Sequence, residues 1–107
     1  MSEAPLEALL AAHAAGLEDA SLREVAGGRE VVAADVAVAV LAADAVELRL
    51  RPSVAAAALR TPDVTPSARG AGWVRFTPAA LDDFARDRAV AWLESAVRLA
   101  AEDDGAS

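Results

Sequence analysis

Cysteine is missing from all 107 residues of this chain, which excludes disulfides, thiol nucleophiles and cysteine metal sites. Lysine is missing too, so all ten basic residues are arginine. There is a single histidine, His13, and aromatic rings occur only at Trp73, Phe76, Phe84 and Trp92. With 30 alanines, core volume must come from those four rings plus leucine and valine, and truncating one that is buried should cost about 3–5 kcal/mol. No stretch approaches the ~20 apolar residues that cross a bilayer. No basic residue precedes the first apolar run, where Glu3 and Glu7 stand, so a signal peptide is not expected and the expected location is cytoplasmic. The net charge of −7 disfavours non-specific binding to nucleic acid or anionic lipid, because the summed field repels polyanions.

Against that acidic background one block stands out. Between Leu48 and Leu81 fall Arg49, Arg51, Arg60, Arg69 and Arg75 but a single acid, Asp63. The length and the 55% hydrophobic content describe one globular domain, taken as residues 1–104 with 105–107 as a disordered tail.

Apolar spacing at Leu6, Leu9, Leu10, His13 and Leu17 predicts a helix over residues 3–15, with Ser2 as N-cap and Gly16 as stop. Leu22 to Val32 predicts a hairpin turning at Gly27-Gly28. A second hairpin runs from 35–41 through Ala42-Ala43-Asp44 to 45–51. There Val46, Leu48 and Leu50 alternate with Glu47, Arg49 and Arg51, the period of a strand with one wet face. On its partner, Val36, Val38 and Val40 alternate with alanines, predicting burial on one face only. Pro52-Ser53 opens a two-turn helix that ends before Thr61-Pro62. Residues 62–72 read as a loop and Trp73 to Thr77 as a strand.

Thr77 as N-cap and Pro78 at the first helical position start a long final helix, 79–101, expected to pack on the sheet through Phe84 and Trp92. A second stripe, Val90, Leu93 and Val97, needs cover from the first helix or from another copy of the chain. Leu6, Leu9 and Leu10 offer that cover, so a monomer is favoured over a homodimer. The class is α+β: an antiparallel sheet built from hairpins, helices on one face, and a long C-terminal helix.

The segments VELRLRPSVAAAAL, VTPSARGAGWVRF and DDFARDRAVAWLESAVRLA, within residues 35–101, resemble the YjbR/MmcQ-like family of small double-wing domains; luciferase-like domains read similarly. The resemblance implies an α+β fold and a binding role, with DNA binding suggested for the family from the wing shape.

Catalytic patterns are absent. His13 reads as a structural histidine, since no HxxxH, CxxC or DxDxDG spacing accompanies it. Asp82, Asp83 and Asp87 read as a solvated helix start. Ser53, Ser67 and Ser95 lack a nucleophile-elbow context. Gly70-Ala71-Gly72 precedes a strand rather than following one, the wrong context for a phosphate loop. What remains is the wet sheet face: Arg49, Arg51, Arg69, Trp73 and Arg75. The expected function is therefore non-enzymatic, cofactor-free and metal-free binding of a protein partner or small anion through that face. Nucleic acid is the alternative.

Overall fold

Consecutive hairpins lay down most of the sheet in this computed structural model, which describes residues 5–106, with side chains as far as Asp103. Strand β1 (Ala20–Val25) turns into β2 (Gly28–Ala33), then β3 (Val36–Leu41) and β4 (Val46–Arg49). After helix α2 (Pro52–Ala58) come β5 (Val64–Pro66) and β6 (Trp73–Phe76). Helix α1 (Pro5–Ala15) precedes the sheet and α3 (Asp83–Ala106) follows it. All six strands form one antiparallel sheet in the order β1-β2-β3-β4-β6-β5. This is the α+β architecture that the alternation and helical periods predict. The Ser2 cap lies outside the described residues.

Several boundaries move, each for a physical reason. The first turn is Ala26-Gly27, with Val25 paired to Gly28. Gly27 takes the positive φ of 86°, while Gly28 lies in β2 at a place where a Cβ would lie 1.9 Å from the Leu41 carbonyl oxygen, so only glycine fits without a shift. A further hairpin that the sequence conceals joins β2 to β3 through Ala34 and Asp35, at φ 52° and 66°. Two successive positive φ values are the type I′ requirement, and no glycine advertises it here. Strand β3 departs from strict alternation. Val31 pairs with Ala39 and Val32 with Ala37, which leaves Val38 as the extra residue of a bulge, so Val38 and Ala39 are both buried. The expected 62–72 loop contains β5, which pairs with β6 at the sheet edge.

The last helix starts at Asp83, not 79, because Asp82 rather than Thr77 is its cap: the Ala85 amide donates to Asp82 Oδ1 at 2.9 Å. It also runs past the expected end at 101, to Ala106. The packing face differs from the expected one. Phe84 is 73% exposed, whereas Ala85, Ala89, Leu93, Ala96, Val97 and Ala100 are buried. At 3.6 residues per turn, Phe84 stands about two and a half turns from Leu93 and so on the opposite side of the helix, and Arg88 stacks over its ring. Trp92 does pack inward, half-buried, with its ring 5.2 Å from Phe76 in an edge-to-face contact. Leu6, Leu10, Ala11 and Ala14 of α1 cover the Leu93 and Val97 stripe, the intramolecular solution. The core thus lies between the three helices and one sheet face, leaving the other face open.

Candidate functional site

The open face is laid out by strand register. Val31, Ala33, Ala39, Leu41, Val46, Leu48, Val74 and Phe76 are buried in the core, so the alternate residues of these strands point away from the helices. One row crosses all six strands through direct pairs: Arg23, Glu30, Val40, Glu47, Arg75, Thr65. Beside it stand Val32 on β2 and the directly paired Arg49 and Trp73 on β4 and β6.

Three of the five predicted site residues converge there. Arg69, in the β5–β6 loop, places its guanidinium carbon 5.6 Å from the Trp73 ring centroid and donates from Nε to Glu47 Oε1 at 3.2 Å. Arg75 lies across the strand pair from Glu47. It is exposed, and among the described residues it makes no hydrogen bond or ion pair. The other two turn aside to the end of α3. Arg49 Nη2 donates to Asp103 Oδ2 at 3.0 Å, and Arg51 Nη2 reaches both oxygens of Glu102 at 2.6 Å. Those carboxylates sit at a helix C-terminus, where the dipole disfavours them, so the two arginines compensate and the last turn holds. The Glu102 hydrogen bond, more than its charge, raises the Arg51 pKa further above the ordinary arginine value.

Glu47 and Ser67 belong to the site and were not among the predicted residues. The Ser67 hydroxyl donates to Glu47, and the Arg69 amide donates to Ser67 Oγ at 3.1 Å. Burial pushes the Glu47 carboxyl up, but hydrogen bonds from Ser67 and Arg69, with the charges of Arg69 and Arg75, outweigh that and hold its pKa below 4.5. The one signal for it was its place between Val46 and Leu48, an acid on the wet face of a strand directly before an arginine-rich block.

The remaining motifs resolve as structure. His13 Nε2 lies 2.7 Å from Glu94 Oε2, tying α1 to α3. Asp82 is a cap. Gly70 and Gly72, at φ 134° and 82°, shape the turn into β6, where the Leu50 amide donates to the Gly72 carbonyl at 2.8 Å. Among the described residues no three His, Cys, Asp or Glu side chains are grouped to hold a metal. No described helix is long and apolar enough to cross a membrane.

A shallow cavity of about 300 Å³ beside Trp73 is lined by Arg49, Arg51, Pro52, Gly72, Leu99 and Asp103, without Trp73 itself. No known family model, characterised protein or solved structure matches this chain.

Proposed function

We propose that this chain is a binding domain, not an enzyme, and that it docks a protein partner on the open sheet face around Trp73. Arg75 carries the reading. It is exposed, makes no hydrogen bond or ion pair among the described residues, and stands beside a half-buried indole already braced by Arg69. An aromatic anchor with arginines around it, on a surface of mixed charge, is the composition of a protein-docking patch. A small anion needs a concave site, and the cations that line the cavity beside Trp73, Arg49 and Arg51, are already held by Asp103 and Glu102. Three of the five arginines are already held by carboxylates, and with the net charge of −7 this weighs against nucleic acid. The likeness to YjbR/MmcQ-like domains rests on the sequence segments within residues 35–101 and supports a binding role at the level of pattern.

The test compares two immobilised baits, wild type and Trp73→Ala with Arg75→Ala. Arg75→Ala removes only an exposed charge, about 0–1 kcal/mol, while Trp73→Ala also gives up part of an indole's burial, so melting curves confirm that the double variant folds, and it should lose proteins that the wild type retains. Identical retention by the folded double variant would remove the face as a site.

A further inference from the structure

The charge order along the open face says what kind of partner fits. Across the sheet the row reads Arg23, Glu30, Val40, Glu47, Arg75, Thr65, that is plus, minus, neutral, minus, plus, neutral. Two such faces can be stacked about a two-fold axis lying in the plane between them in two ways. With the axis across the strands each strand covers its own copy, so Arg23 meets Arg23, Glu30 meets Glu30 and Glu47 meets Glu47, all like charges. With the axis along the strands at the sheet centre, between β3 and β4, each strand covers its mirror in the order: β2 lies over β6 of the second copy, and β1 over β5.

In that second arrangement Glu30, whose Oε1 already accepts from Arg23 of its own copy, has Oε2 left for Arg75, an exposed cation with no hydrogen bond or ion pair among the described residues, and Val32 meets Trp73. Arg23 meets Thr65. Val40 faces the stem of Glu47, whose carboxylate is already held sideways by Ser67 and Arg69. The symmetry repeats every contact, giving two Glu30–Arg75 pairs and two Val32–Trp73 contacts.

We propose that the occupant of this face is a second copy of the chain, stacked sheet to sheet about an axis parallel to the strands. The inference rests on the docking reading above and names its partner. Six strands at ~4.8 Å spacing make a face only ~25–30 Å wide, small for a specific interface. The two net charges of −7 repel as well, so self-association belongs in the micromolar range.

The cysteine-free chain permits a clean test. Ser21 on β1 and Thr65 on β5 are exposed and lie outside the Glu30, Val32, Trp73 and Arg75 contacts. In the proposed dimer Ser21 of one copy and Thr65 of the other are roughly 12 Å apart, whereas two copies of Ser21 are roughly 24 Å apart. Mixing Ser21→Cys with Thr65→Cys chains and adding a short bismaleimide should therefore give a covalent dimer, while neither variant alone should. By sedimentation equilibrium Arg75→Glu should weaken the dimer about tenfold or more, since it removes both symmetric pairs. Glu30→Gln should weaken it too, with melting curves confirming that both variants fold. Crosslinking within either single variant, no response to both charge variants, or a monomer throughout the micromolar range would overturn the proposal. A monomeric wild type that still retains bait-bound proteins through Trp73 and Arg75 would overturn only the identity of the occupant and leave the docking reading standing.

Discussion

At Gly28 a single missing methyl group decides strand spacing. The Leu41 carbonyl occupies the place a Cβ would take, so Gly28→Ala must push β2 away from the β3–β4 turn, and overpacking of that kind costs about 1–3 kcal/mol. Gly27→Ala, which faces open space, carries only the strain of its positive φ, about 1–2 kcal/mol. Urea denaturation of both variants should show the larger loss at Gly28. Glu47 makes the second residue-scale prediction. Its folded pKa is depressed, so its contribution to stability is fully present above the unfolded value of 4.5 and is lost as pH falls through the folded one. Glu47→Gln should flatten that acid limb of the stability profile below about pH 4.5 and change the slope near pH 7 very little. An unchanged acid limb would show that Ser67 and Arg69 do not stabilise the ionised form.

Among the elements, α3 shows how tertiary contacts set where a helix begins. Thr77-Pro78 has the residue types of a helix start, but the Thr77 amide donates to the Asp63 carbonyl at 2.9 Å and the Ala79 amide to Asp63 Oδ2 at 3.2 Å, so residues 77–79 serve the β5 end. The helix then begins at the next capping residue, Asp82. Phe84 is left in solvent at 73% exposure while Leu93 is fully buried. Phe84→Ala should consequently cost under about 1 kcal/mol, like other surface changes. Leu93→Ala should cost about 2–5 kcal/mol, the usual range for a core leucine. Thermal denaturation of the two variants checks this, and equal losses would mean that the core contains the Phe84 face after all.

For the whole molecule, the decisive quantity is where the positive charge goes once the chain is folded. Arg49, Arg51 and Arg69 are each spent on a carboxylate contributed by another element, and the block that is net positive in sequence becomes a surface of mixed sign. Mixed-sequence duplex DNA should accordingly bind no more tightly than non-specific affinity, a Kd of about 10⁻⁴ M or weaker at about 0.15 M salt. Tight binding with a steep salt dependence would instead favour the nucleic-acid alternative over a protein partner.

The amino-acid pattern alone determined the class, most of the strands and which strands have a wet side, because local alternation of Val and Leu with Glu and Arg is a property of neighbouring residues. Trp73 and Arg75 share a side for the same reason: they stand two apart on one strand. Partner choice across the chain was not legible. Arg49 and Arg51 have the same parity as the wet face, yet their long side chains turn to Asp103 and Glu102, residues 54 and 51 positions away. The Ala34-Asp35 turn, the Val38 bulge and β5 were equally hidden, since each lacks the glycine, alternation or length that marks such features in sequence. They form because neighbouring strands hold them, with Ala33 against Val36, Ala39 against Val31, and Val64 against Phe76. Only the folded sheet, by bringing those distant residues into register, decided which of the predicted arginines are held by carboxylates and that Arg75 is not.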